Sequence, residues 1–248
     1  TGIHLGAYGK ETGYQLNIID VLRELQTLPG LTRIRLSSIE VNEVTDGLID
    51  LIAGSDKVCS HFHLPLQSGD DYILKRMNRK YDAAQYLETV ERIRGRLELP
   101  SISTDILVGF PGEKRIHFEN TMKLCEQAGF SRAHIFSYSP REDTPAAKMP
   151  DHCKPSDIKE RKKELEFLTA ETSLEYKNLF VGRDIGILVE KERDKKTGKL
   201  CGYSDRYIKA LFDGPDDLMN EIADVHVESV SPQSVMGKCC SHAERGNK

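Results

Sequence analysis

The sequence predicts an α/β fold with a parallel sheet, followed by a small all-β barrel. Three observations predict it. From the start to about residue 150, apolar stripes of helical period alternate with short strand-like runs. Polar residues gather where those runs end: Ser37, Ser38 and Glu40, then Gln67 and Ser68, then Asp105 with Gly109-Phe110-Pro111-Gly112-Glu113, then Tyr138-Ser139-Pro140-Arg141. After Gly182 the pattern changes to short strands with Gly-, Asp- and Lys-rich turns.

Taken in order, Ile18, Val21, Leu22, Leu25 and Leu28 form the stripe of an amphipathic helix, which Pro29-Gly30 ends. A strand follows at Thr32 to Ser38, then a helix around Val44 to Ala53. His61 to Gly69 reads as a strand with Phe62, Leu64 and Leu66 on one face and His61, His63 and Gln67 on the other. The next helix spans roughly Asp82 to Leu97, with Tyr86, Val90, Ile93 and Leu97 on one side. A strand at Ile102 to Gly109, a helix at about Ile116 to Ala128 and a strand at His134 to Ser139 complete the alternation. Strands separated by helices of this length imply βαβ units, in an open doubly wound sheet or part of a barrel.

Pro155-Ser156-Asp157 starts a long helix, with Asp157 and Glu160 at capping-box spacing and Ile158, Leu165, Leu168, Thr172, Tyr176 and Leu179 along one side. It bridges to strands at Ile185 to Glu190, Tyr207 to Phe212 and Ile222 to Val230, with a turn at Asp194 to Gly198. The expected domains are residues 1–180, residues 181–240 and a tail, 241–248.

A chain of 248 residues with 38% hydrophobic residues can bury a barrel-sized core. Its formal net charge of −4 argues against a generally basic nucleic-acid coat, so partners must be read locally. The longest apolar runs fall short of the roughly 18 residues a membrane span needs, and no signal segment opens the chain, so a cytoplasmic protein is the expectation. The six cysteines show no C-x-x-C spacing, which disfavours a disulfide framework or a thiol metal site.

Several features can carry chemistry, each beside a plainer reading. His61-x-His63 points two imidazoles the same way, as a metal pair would, which with Asp105 suggests a metal-dependent hydrolase; hydrogen-bonded interior histidines fit as well. Lys75-Arg76-Met77-Asn78-Arg79-Lys80 fits a polyanion grip or an exposed helix turn. Residues 183 to 209 hold eight basic residues against five acidic ones, whereas 213 to 228 hold six acidic residues and no Lys or Arg. With Tyr203 and Tyr207 interleaved, the first stretch suits RNA phosphates and bases, or is a solvated hairpin. Gly109-Phe110-Pro111-Gly112-Glu113 is a tight turn that lacks phosphate-loop and dinucleotide signatures.

Five strings taken together carry a resemblance: Gly2-Ile3-His4-Leu5-Gly6-Ala7-Tyr8-Gly9, His63-Leu64-Pro65-Leu66-Gln67-Ser68-Gly69, Leu74-Lys75-Arg76-Met77-Asn78-Arg79-Lys80-Tyr81, Thr104-Asp105-Ile106-Leu107-Val108-Gly109-Phe110-Pro111-Gly112-Glu113 and Tyr138-Ser139-Pro140-Arg141. In this order they resemble the radical-SAM tRNA methylthiotransferases, most closely the type acting on threonylcarbamoyladenosine beside the anticodon. The resemblance implies a partial (β/α)6 radical-SAM barrel lacking its first strand and cluster loop. It also implies a TRAM-like RNA-binding β-barrel, most recognisable at Gly202-Tyr203-Ser204-Asp205-Arg206-Tyr207.

By the same resemblance, Ser38, Glu40, Gln67, Asp105, Gly109, Phe136 and Tyr138 would bind S-adenosylmethionine. His4, Tyr8 and Arg141 would face the substrate, and Arg206, Tyr207 and Lys209 would contact tRNA. Two 4Fe-4S clusters are implied for the full-length enzyme, with ligands absent from this chain, so that it would be inactive alone. A reducing electron donor, the tRNA anticodon stem-loop and a monomeric state are implied as well, with no membrane partner. Where the family usually has Pro after the strand-end Glu this chain has Val41, and where it usually has Gly before a Thr it has Asp143. A metal-dependent hydrolase using His61 and His63, or a non-catalytic RNA-binding protein, are the competing expectations.

Overall fold

The computed structural model describes residues 5–9 and 16–240. The chain forms two compact units, Thr1–Thr172 and Ser173–Lys248. In the first, α1 (Ile18–Thr27) opens on a reciprocal cap, the Asn17 side chain on a backbone N–H and the Asp20 carboxylate on the Asn17 N–H. Then follow α2 (Asp46–Ala53), β1 (His61–His63), α3 (Asp71–Arg76), α4 (Ala83–Arg94), β2 (Ser101–Val108), α5 (Arg115–Ala128) and β3 (Arg132–Ser137). α6 (Pro155–Asn178) begins in this unit and ends in the next.

The three strands are parallel in the order β1-β2-β3, with His63 opposite Ser103 and Asp105 opposite His134. Phe62, Ile102, Thr104, Ile106 and Val108 are buried, and the apolar ones among them join Leu48, Ile49, Ile52, Tyr86, Val90, Ile93, Phe118 and Leu124 in one core. His61, His63, Ser103, Asp105 and His134 occupy the alternate face. A parallel sheet covered on both sides normally carries apolar residues on both faces. The polar second face is therefore what sets this sheet apart.

Two expected strands are shorter than their patterns. The segment from Thr32 to Ser38 makes only isolated parallel bridges, Ile34 to Val58 and Ser38 to His63, and the register slips by one residue between them. Such a slip is a bulge, and it breaks the ladder. β1 stops at His63: the Leu64 N–H still reaches the Ser103 carbonyl (2.9 Å), but the next β2-facing donor, Leu66 N–H, turns to a side chain. Hydroxyls fill the gap: Thr104 Oγ1 accepts from the Leu66 N–H (3.0 Å), Tyr86 donates to the Leu64 carbonyl (2.7 Å), and Tyr81 donates to the Pro65 carbonyl (2.9 Å). Pairing resumes at Gln67 opposite Ile106.

The start of α6 also differs from expectation. Pro155 takes the first helical position, where its missing N–H costs nothing, so Asp157 lies inside the first turn and no Asp157–Glu160 capping box forms. Its buried side includes Leu165, Thr172 and Tyr176, whereas Leu179 lies beyond the helix end and is exposed.

The second unit is a closed barrel of β4 (Asp184–Val189), β5 (Leu200–Ser204), β6 (Lys209–Asp213), β7 (Ile222–Val230) and β8 (Val235–Cys239), in the order β4-β5-β6-β8-β7. Only the β6–β8 pair is parallel. Ile187, Val189, Leu200, Ala210, Phe212, Ala223, Val225, Val227 and Val235 fill it. β5 and β8 were not expected as strands, because each centres on a glycine and holds few strong strand formers. At Gly202 a Cβ would overlap the Leu188 carbonyl and its Ile187 neighbour, so the glycine permits a close strand approach. Among the described residues no helix is long and apolar enough to cross a membrane.

Candidate active site

The carboxyl ends of the parallel strands lie side by side. Gln67 joins β2 through both backbone groups, donating to the Asp105 carbonyl (2.8 Å) and accepting from the Leu107 N–H (2.9 Å). It does so at φ 63°, a left-handed conformation that residues other than glycine occupy at a cost, so strain is held at this strand end. On the far side of β2, the Tyr138 N–H donates to the Val108 carbonyl (2.8 Å).

Between them the chain turns at Gly109, φ 84°, where a Cβ would overlap Ile158 of α6. The turn is pinned from below. Gly109 N–H donates to the Glu113 carboxylate (3.2 Å), and Arg161 of α6 donates to that carboxylate (2.8 Å) and to the Glu113 carbonyl (3.0 Å). Burial pushes the Glu113 pKa up, and the Arg161 guanidinium opposes that rise.

The polar face of the sheet carries a row of contacts. His61 Nε2 and His63 Nδ1 both lie 3.0 Å from Ser103 Oγ, and His63 Nε2 lies 3.3 Å from Asp105 Oδ2. The His134 ring is 6.3 Å from that of His63, edge-on. Burial, with the charge of Arg35 second, lowers the His61 pKa to about 3, so His61 is neutral at neutral pH. Burial also lowers the pKa of His134.

Of the residues expected around S-adenosylmethionine, Ser38 bridges to His63, Gln67 and Asp105 meet through the backbone, Gly109 ends β2, and Phe136 stands opposite Leu107. Phe136 is 53% exposed. The Tyr138 hydroxyl is buried with no hydrogen-bond partner among the described residues, and its ring packs near those of Phe110 (5.5 Å) and His152 (5.9 Å). Glu40 is in an ion pair with Arg79 (2.9 Å). Tyr8 and Arg141 are exposed, and His4 lies outside the described residues.

In the second unit Arg206 pairs with Asp205 (2.8 Å) over the Phe180 ring, and Lys209 pairs with Asp194 (3.0 Å). Tyr207, at φ 61°, packs its ring 5.1 Å from that of Tyr203. Two of the three expected RNA contacts are thus compensated by carboxylates. The exposed Lys191, Lys195 and Lys196 have no such partner among the described residues.

Sequence reasoning singled out His61 and His63 as a possible metal pair but passed over Ser103 and His134. The period-two row His61, His63 and Ser103, Asp105 was the available signal. The two histidines converge on the Ser103 hydroxyl, and among the described residues no three His, Cys, Asp or Glu come together to hold a metal ion. The described residues therefore do not fit an iron–sulfur cluster. They do fit the polar groups of a nucleoside cofactor: a carboxylate at Asp105 and the unpartnered Tyr138 hydroxyl are both available to hydrogen-bond a ligand.

The first unit is thus a parallel α/β sheet with one polar face and a strained carboxyl edge, the edge at which sites of such sheets lie. Residues 3–125 match the family model of the radical SAM superfamily. The chain is also 38% identical over 236 residues to threonylcarbamoyladenosine tRNA methylthiotransferase MtaB of Thermotoga maritima, covering 95% of this chain and 53% of that protein. It is 35% identical over 230 residues to the Bacillus subtilis protein of the same name, covering 92% and 51%. With tRNA-2-methylthio-N(6)-dimethylallyladenosine synthase of Alkaliphilus oremlandii it shares 35% over 237 residues, covering 96% and 50%. The chain carries a radical SAM superfamily domain and is a relative of the tRNA methylthiotransferases. It spans about half the length of the curated relatives it matches. Among solved structures, coproporphyrinogen III oxidase (HemN) from Escherichia coli, described as a radical SAM enzyme, aligns at TM-score 0.49 and 15% identity over 62% of this chain and 36% of its own.

Proposed function

We propose that the chain is part of a tRNA methylthiotransferase that converts N6-threonylcarbamoyladenosine beside the anticodon into its 2-methylthio derivative. The observation that carries this reading is the 38% identity to a threonylcarbamoyladenosine enzyme over 236 residues, a match that runs through both units. S-adenosylmethionine, when bound, supplies hydrogen-abstracting radical chemistry and a methyl group. Gln67, Ser38 and Asp105 orient its polar groups, and the Gly109 turn, Phe136 and Tyr138 enclose its adenosine. Tyr8 and Arg141 meet the substrate nucleoside. The barrel's part is to hold cofactor and base in register and to exclude water.

The β-barrel unit acts as a TRAM-like RNA module for the anticodon stem-loop. With Arg206 and Lys209 already paired, Lys191, Lys195 and Lys196 supply the uncompensated charge, and the Tyr203–Tyr207 pair offers a stacking surface. A tRNA substrate sets the site of action in the cytoplasm. The reaction needs an external electron donor, and the enzyme works as a monomer.

The test is complementation. The complete gene is expressed in a strain that lacks the 2-methylthio mark on threonylcarbamoyladenosine, and tRNA nucleosides are profiled by mass spectrometry. Appearance of that mark supports the proposal. An unchanged profile, or thiomethylation of dimethylallyladenosine instead, overturns the substrate assignment.

A further inference from the structure

Donor and acceptor chemistry favours one direction along the row His61, Ser103, His63, Asp105. An ionised Asp105 only accepts, and its Oδ2 lies 3.3 Å from His63 Nε2, which favours a proton on that nitrogen. A neutral His63 protonated there has a bare Nδ1, which can only accept. The atom 3.0 Å from it is Ser103 Oγ. The Phe62 carbonyl, 3.3 Å away, competes for the serine proton, but the shorter contact gives it to His63, and the Oγ lone pairs accept from the Nε2–H of His61, also 3.0 Å away. His61 is buried and neutral, so it fills the donor role. The polarity runs from His61 to Asp105.

At the far end of the row, Asp105 Oδ1 takes no hydrogen bond from the described residues, and the side chain is 28% exposed on the face away from the helices. The remaining titratable or charged neighbours are His134 and Arg132 on β3, Arg35 on the segment before β1 and Tyr86 of α4.

We propose that His63 is a positioning residue, held as its Nε2–H tautomer by Ser103 and His61. It clamps one oxygen of Asp105 so that the other accepts an N–H or O–H donor from a bound nucleoside cofactor. The inference rests on the functional reading above, in which that donor belongs to S-adenosylmethionine. The 3.3 Å contact is loose, as catalytic contacts often are before the ligand binds, and it shortens when Oδ1 is engaged.

The test uses the complete gene product. NMR on nitrogen-labelled histidine reads the His63 tautomer directly, and Asp105→Asn, which removes the anionic acceptor, is expected to mix the two tautomers. Calorimetric titration with S-adenosylmethionine compares two variants of similar size. The amide nitrogen of His63→Gln reaches the Nε2 position, so its binding stays within about threefold of wild type. That of His63→Asn reaches only the Nδ1 position, and binding weakens about 10-fold, or about 1.4 kcal/mol. A purely structural role would move both variants together. An Nδ1–H tautomer in the wild type, or equal losses in the two variants, overturns the positioning role. A wild-type protein that binds no S-adenosylmethionine overturns the functional reading and the ligand named here, while the tautomer still decides the clamp.

Discussion

His61 shows how one buried side chain ties stability to pH. Its pKa is 6.5 in the unfolded chain and about 3 when folded, so between these values the unfolded state binds the extra proton. Its contribution is full above pH 6.5 and is lost as pH falls toward 3. At pH 5 the loss is on the order of 2 kcal/mol. In His61→Gln the urea midpoint is expected to fall less between pH 7.5 and pH 5 than in the wild type. Parallel slopes would show that other groups set the acid sensitivity. Asp143 is a second informative residue. It stands at φ 70°, so the position where the family usually has glycine is a left-handed one. Asp143→Gly is expected to raise the thermal midpoint slightly, by less than about 1 kcal/mol in stability, since relief of strain is partly offset by unfolded-state entropy. A lowered midpoint would contradict that account.

At the scale of elements, the turn after β2 depends on a helix far along the chain. Gly109→Ala brings both the wrong φ and an overlap with Ile158, and is expected to destabilise the first unit by about 3 kcal/mol. Combining it with Ile158→Ala should recover part of the loss, giving a coupling of at least about 0.5 kcal/mol in a denaturation cycle. Strict additivity would mean that Ile158 is not what the new methyl meets. The longer helices were legible because their apolar stripes are local, as from Ile18 to Leu28 and from Tyr86 to Leu97, whereas the short α3 was not. The pattern at Thr32 to Ser38 does not reveal the bulge, which depends on pairing with Val58 and His63 that no local pattern records. The strand ends of the site were legible as polar clusters. The pairing of Glu40 with Arg79, and the convergence of two histidines on Ser103, were not, because each joins residues distant in sequence.

For the whole molecule, alternation of period-two and helical patterns sufficed to separate an α/β part from a β part. The barrel's strand count was not legible, since β5 and β8 earn their place by pairing rather than propensity. Gly202→Ala, which would drive a methyl into the Leu188 carbonyl, is expected to unfold the second unit selectively. In a two-dimensional NMR spectrum, resonances of residues 184–239 should collapse while those of the parallel sheet persist. Loss of both sets would show that the units fold as one. The parallel β6–β8 pair has a kinetic consequence as well. β8 follows the other barrel strands in the chain yet bonds to both β6 and β7. During synthesis the ring therefore cannot shut until Cys239 has cleared the ribosome, and until then β6 and β7 each present a bare edge. A chaperone that shields strand edges would have its longest working interval on this segment.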